Sequence, residues 1–170
     1  HMLTNHELEK RLAAAFDTVE FETVAHVYAD WLIERGEPHG AFLSHQLSAG
    51  ASAATKKQTA EYQSNVSRSL LGDARVTWSK GFIREIRWTT TPSLEVALAH
   101  PALRLLSRLR ARTARLYAAF AAGGAALPPS LRAIEVAQFE IDPARFSQLF
   151  EAPGLDHMEE VVVPINAYAR

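Results

Sequence analysis

The chain has 170 residues, 48% of them hydrophobic and 22% charged, with a formal net charge of -1 and no cysteine. That balance suits one compact domain, or a small domain fused to a short repeat array. It excludes a disulfide framework, thiolate metal ligation and a thiol nucleophile, and no apolar run approaches the ~20 residues that a membrane-spanning helix needs.

His1 reads as a tag-cleavage remnant, with Met2 as the natural start. The polar opening HMLTNHELEKRL lacks the apolar core of a signal peptide, so cytoplasmic residence is expected. In TNHELEKRLAAAF, Thr4 or Asn5 serves as N-cap, Glu7 lies in the first turn, and Leu8, Leu12, Ala15 and Phe16 recur at helical spacing. FETVAHVYADWLIER places Phe21, Val24, Ala25, Tyr28, Trp31 and Leu32 on one apolar stripe. Gly36 is suited to cap this helix in the left-handed conformation, and Pro38 to open the next one. That third helix, HGAFLSHQL, is expected to turn Ala41, Phe42, His45 and Leu47 inward. The small residues of 48–55 read as a mobile loop, and 56–71 as a mostly polar surface helix. DARVTWSKG reads as a transition.

After Gly81 the pattern changes kind. IREIRW (Ile83, Ile86, Trp88), LSRLRA (Leu106, Leu109, Ala111), LRAIEV (Leu131, Ile134, Val136) and MEEVVV (Met158, Val161, Val163) share one apolar spacing. They begin at 83, 106, 131 and 158, steps of 23, 25 and 27 residues that fall within the range of leucine-rich repeats. Between them lie the helix-like pieces SLEVALAH, ARLYAAFAAG and PARFSQLF. Strand–helix units stacked in this way bury together what none buries alone.

VYADWLIERGEPHGAFLSHQL resembles the repeat-companion domain family of myxobacteria and planctomycetes. The resemblance is carried by a Tyr-Ala-Asp-Trp-Leu helix (Tyr28 to Leu32), an Arg-Gly-Glu-Pro turn (Arg35 to Pro38) and a Gly-x-Phe opening (Gly40 to Phe42). LLGD followed by WSKGFIREIRW is similar to the family's continuation into leucine-rich-like repeats. One departure is SHQL, where members carry Arg-Leu-Gln. The resemblance implies architecture and an interaction role, and supplies no catalytic residues.

Charge is unevenly spread. Between Lys80 and Leu116 stand Lys80, Arg84, Arg87, Arg104, Arg108, Arg110, Arg112 and Arg115 against Glu85 and Glu95. From Ala133 to Ala169 stand Glu135, Glu140, Asp142, Glu151, Asp156, Glu159 and Glu160 against Arg145. In the repeat register the residues between apolar positions share the open strand face: Arg84, Glu85, Arg87, Ser107, Arg108, Arg110, Arg132, Glu135, Glu159, Glu160 and Val162. Arginines on early rungs and glutamates on late ones either orient a partner of opposite pattern or pair with each other. Nucleic acid is disfavoured, because the basic band lacks interleaved aromatics and the acidic rungs repel phosphate.

Catalytic signals are weak. His26 and Asp30, four apart, share a helical face and with His45 or His39 would form a ligand set for a metal-dependent hydrolase, but no recognised motif surrounds them. Asp30 pairing with Arg35, or satisfying backbone groups after the Gly36 turn, is the structural alternative. Tyr28 and Trp31 read as core. FAAGGAALPP lacks any phosphate-cradling context, and there is no G-x-S-x-G.

The expectation is therefore an α/β protein, with a helical cap over 1–79 and a short leucine-rich-like solenoid with a parallel strand ladder over 80–170, packed as one unit. It is expected to be a non-enzymatic adaptor or immunity-type protein without metal or cofactor. It would recognise a protein through Arg84, Arg87, Arg108, Arg110, Arg132, Glu135, Glu159 and Glu160, with homodimerisation open to the C-terminal edge strand near VVVPIN.

Overall fold

The structure, a computed structural model, describes residues 5–48, 52–89, 91, 93–121, 127–136 and 158–162. The chain forms two compact units, His1–Val66 and Ser67–Arg170, divided within a helix. Among the described residues no helix is long and apolar enough to cross a membrane.

The first unit is helical. Helix α1 (Asn5–Ala15) buries Leu8, Leu12 and Ala15, and α2 (Phe21–Glu34) buries Phe21, Ala25, Tyr28, Ala29 and Leu32. Phe16 and Phe21 meet edge to face at 5.1 Å across the turn between them. Helix α2 ends as its sequence requires. Gly36 adopts φ +70°, its N–H donates to the Ile33 carbonyl (2.9 Å), and the Glu37 N–H reaches back to the Leu32 carbonyl (3.0 Å). This is a Schellman closure, which satisfies carbonyls that the helix end leaves without partners.

Pro38 then opens α3 (Pro38–Ser48), whose inward face differs from the expected one. His39, Gly40 and Leu43 are buried, Ala41 and His45 are exposed, and Phe42 and Leu47 are partly covered. The reason is Gly40. A Cβ there would lie 2.8 Å from the Ala29 carbonyl oxygen, the Ile33 nitrogen and Leu32 Cβ, so the α2 and α3 backbones cross where only hydrogen fits. That contact fixes the rotation of α3 and carries His39 and Leu43 inward with it.

Helix α4 (Ala53–Leu71) starts earlier than expected. Ser52 caps it, accepting the Thr55 N–H on Oγ (3.1 Å) and the Lys56 N–H on its carbonyl (3.0 Å). Of the expected loop, 49–51 lie outside the described residues. Within the first unit, α4 is joined to α3 by the His39 Nδ1···Tyr62 Oη hydrogen bond (2.8 Å) and by Phe42 stacked on Tyr62 at 4.1 Å. Burial, and secondarily the negative charge of Glu37, push the Tyr62 hydroxyl up to about 12.

The second unit holds a five-stranded sheet in the order β1-β2-β3-β4-β5. The supposed transition segment is its first strand. β1 (Arg75–Ser79) pairs antiparallel with β2 (Phe82–Trp88). The two-residue connection is Lys80 (φ 52°) and Gly81 (φ 88°), and left-handed backbone at both positions matches the twist of a hairpin. The rest of the sheet is parallel: β2, β3 (Arg108–Ala111), β4 (Ala133–Val136) and β5 (Glu160–Val162).

The register is the one implied by the apolar spacing. Ile86 lies beside Leu109, Leu109 beside Ile134, and Ile134 beside Val161. Two residues earlier in each pattern, the Ser107 N–H donates to the Arg84 carbonyl, Arg132 to Ser107, and Glu159 to Arg132. Helix α5 (Leu94–Ala99), a 3-10 turn (Pro101–Leu103) and α6 (Thr113–Ala121) fill the first two crossovers. The expected helix PARFSQLF, the double glycine, Val163 and the VVVPIN edge beyond Val162 lie outside the described residues.

Ile83, Ile86, Leu109, Ala111, Ile134 and Val136 from the strands, with Leu94, Leu98, Leu103, Leu106, Leu116 and Leu131 from the segments between them, form the core. Each fully buried Leu or Ile contributes roughly 1.5–3 kcal/mol relative to exposure. Polar stitches join successive crossovers. The buried Arg104 donates to the carbonyls of Leu98 (2.9 Å) and Leu127 (3.2 Å), and Ser130 Oγ donates to the Leu106 carbonyl (2.9 Å).

Candidate recognition surface on the parallel strands

Because side chains alternate along a strand, burying Leu109 and Ala111 leaves Arg108 and Arg110 on the opposite face. The register then lines up two charged rows. One holds Glu85, Arg108, Ala133 and Glu160; the next holds Arg110, Glu135 and Val162. Ion pairs cross the strands within these rows. Arg108 Nη2 meets Glu160 at 2.9 Å and its Nε lies 3.9 Å from Glu85; Arg110 Nε lies 3.4 Å from Glu135. Arg132 and Glu159 pair at 3.9 Å near the start of the strands. The sequence left two alternatives open, and internal pairing is found at these four contacts. Each joins solvent-exposed groups and is worth about 0–1 kcal/mol.

Arg84 is differently placed. The register shift that skips it between Ile83 and Glu85 makes it an extra residue in β2, and its Nη1 donates to the Leu105 carbonyl at 2.7 Å. Its guanidinium is thus committed to the loop before β3. Arg87 is exposed.

Trp88, expected among the inward apolar positions, is only half-buried, and its ring lies 5.8 Å from the guanidinium carbons of both Arg110 and Arg112. The register accounts for this. Arg75 pairs with Trp88 and Val76 with Ile86, so Arg87 is a second extra residue, and such a bulge re-aims the side chain that follows. An aromatic ring is therefore interleaved with the arginines after all. Arg112, exposed just beyond β3, belongs with this group although sequence reading stopped at Arg110. The alternation 108, 110, 112 was the signal available for it.

The helical candidates do not converge. His26, Asp30 and His45 are all exposed, whereas His39 is buried against Tyr62. Among the described residues no group of three or more His, Asp or Glu is arranged to hold a metal ion. Arg35 does not turn to Asp30. Its guanidinium lies 3.7 Å over the Trp31 ring, and its Nη1 donates to the Trp31 carbonyl (3.3 Å). Helical geometry decides this, since residues four apart share a face whereas residues five apart diverge by about 140°. Tyr28 is core, and Trp31, stacked on it at 6.1 Å, is half-covered.

No family model matches the chain, and neither a curated protein nor a solved structure matches it.

Proposed function

We propose that this protein is a non-catalytic protein-recognition module, an adaptor or immunity-type binding protein, that engages its partner through the outward face of the parallel strands. The observation that carries the reading is the pair of in-register rows, Glu85–Arg108–Ala133–Glu160 and Arg110–Glu135–Val162, displayed on one face while the other is packed with aliphatic residues. A rigid ladder holds charges at fixed spacings, and fixed spacing gives specificity and orientation more than raw affinity. The strand–helix alternation and its lengthening steps support a leucine-rich-like solenoid. Together with the resemblance of Tyr28 to Phe42 to the repeat-companion domain, they support a cytoplasmic interaction role, with the C-terminal edge strand as a route to homodimers.

The test is a pull-down from native lysate comparing the intact protein with Arg87→Glu/Arg108→Glu/Arg110→Glu, after circular dichroism shows both folded. Arg84 is left unchanged because its bond to Leu105 serves the loop. A partner held by the intact chain and lost by the variant is the expected result. An identical set held by both would overturn the reading.

A further inference from the structure

Ion pairing does not treat the two ends of the strand face alike. Glu85 and Glu160 are both engaged by Arg108, Glu135 by Arg110 and Glu159 by Arg132. At the C-terminal ends of β2 and β3 the arginines outnumber their acids. Beyond the Ile86–Leu109 pairing, Arg87 and Trp88 follow on β2, and Arg110 and Arg112, which flank the Trp88 ring at 5.8 Å, follow on the β3 side. Among the described residues neither Arg87 nor Arg112 has an ion pair. Arg110 and Arg112 beside the Trp88 ring, and Arg87 next to it in sequence, have only the Arg110–Glu135 pair among them in the described residues, which leaves a surplus of positive charge that an anion would relieve.

The aromatic ring there is also open in a way that the other Arg–Trp pair is not. On α2, Arg35 covers Trp31 at 3.7 Å; on the sheet, Arg110 and Arg112 stand off the Trp88 ring at 5.8 Å. The Arg112 guanidinium, so loosely seated and without an ion pair among the described residues, can turn to chelate a carboxylate in the two-pronged geometry arginine favours. Arginine and tryptophan are also the residue types that most often carry binding energy at interfaces.

From these observations, and resting on the reading of the strand face as a protein-binding surface, we infer that the Arg87–Trp88–Arg110–Arg112 end of the sheet takes an acidic peptide segment of the partner. Carboxylates would lie on the guanidiniums, with an apolar or aromatic side chain on Trp88. A peptide fits better than a nucleic acid. Glu85, Glu135 and Glu160 lie on the same face, within a strand or two, and would repel a continuous phosphate backbone, whereas a peptide can place carboxylates only where arginines await them.

The experiment is an NMR titration of the intact protein with a soluble peptide carrying Glu-Phe-Glu within a Gly-Ser carrier, alongside its Gln-Phe-Gln counterpart and a twelve-nucleotide oligothymidine. The Glu-Phe-Glu peptide should move the Trp88 indole and Arg112 Nε–H signals, leaving those of Trp31 and Trp78 in place, with a Kd of about 1 mM or tighter. Affinity should fall at least ~10-fold in Arg87→Gln/Arg112→Gln, the loss of about 1.4 kcal/mol that one desolvated charge pair supplies. Three results would overturn the inference: a still Trp88 signal at saturating peptide, equal binding of the Gln-Phe-Gln peptide, or tighter binding of the oligonucleotide. The broader reading is separable. If the peptide fails here while Arg87→Glu/Arg108→Glu/Arg110→Glu still abolishes partner capture, the strand face stands and only the acidic-peptide subsite falls.

Discussion

Gly36 and Gly40, four residues apart in the RGEPHG turn, are glycines for different reasons, and substituting each by alanine separates them. At Gly40 two effects oppose. Alanine gains about 1 kcal/mol of helix propensity inside α3. Against that, its Cβ would sit 2.8 Å from three atoms, two of which, the Ala29 oxygen and the Ile33 nitrogen, are backbone and have no rotamer by which to retreat. Ordinary contact needs at least 3.4 Å, so α2 and α3 must separate by several tenths of an ångström. Overpacking of this kind costs about 1–3 kcal/mol. The opened gap also weakens dispersion around Ala29, Leu32 and Leu43, all at most 1% exposed. The net expectation for Gly40→Ala is a loss of about 2 kcal/mol, or roughly 4–8 °C in thermal midpoint for a chain of this size. At Gly36 nothing lies within 4 Å of an added Cβ, and only the φ of +70° resists it. Gly36→Ala should cost about 1 kcal/mol, most of it restored by Gly36→Asn, which tolerates that conformation. Urea and thermal unfolding followed by circular dichroism measure both. A Gly40→Ala protein as stable as the parent, or more so, would refute the close crossing of α2 and α3.

Tyr62 supplies a pH signature. Its folded value is raised above the ordinary 10.0 to about 12. The stability it contributes is therefore whole below pH 10 and is lost as pH rises to 12, because the unfolded chain releases the proton first. Tyr62→Phe should flatten that part of the alkaline unfolding curve, and an unchanged slope between pH 10 and 12 would contradict the assignment. Arg104→Ala leaves the carbonyls of Leu98 and Leu127 without their guanidinium donor and should cost about 2–4 kcal/mol in urea unfolding; a change below about 0.5 kcal/mol would sink the stitching role. A double-mutant cycle on Arg110 and Glu135 should return a coupling below about 1 kcal/mol that shrinks further in added salt, as for other exposed pairs.

Much of the second unit was legible because its information is periodic. The recurring apolar spacing placed Ile86, Leu109, Ile134 and Val161 in one row, and the register sets them side by side. The same rule put Arg108, Arg110 and Glu135 on the opposite face. What escaped was aperiodic. β1 was missed because Arg75, Thr77 and Ser79 alternate with Val76 and Trp78 over only five residues, and its hairpin turn opens on Lys80, ahead of Gly81, rather than on an asparagine or glycine. Extra residues in β2 moved Trp88 and Arg84 away from where strict alternation puts them, and no composition rule announces a bulge. In the helical unit the α3 face was misassigned because a glycine counts for nothing in a hydrophobic stripe, yet its missing side chain decided which face turned inward. His39, weighed as a ligand, is a core residue that Tyr62 satisfies.

The central claim is that the partner lies on the outward face of the parallel strands, and site-specific photo-crosslinking addresses it most directly. A benzophenone amino acid would be placed in turn at Arg132, exposed on the charged strand side, and at Val96, 64% exposed on α5. Each protein would be irradiated in native lysate and its adducts identified by mass spectrometry. The account predicts one recurrent protein adduct from position 132, suppressed by Arg87→Glu/Arg108→Glu/Arg110→Glu, and none in common from position 96. The same adduct from position 96, with none from 132, would place the partner on the helical side and contradict it.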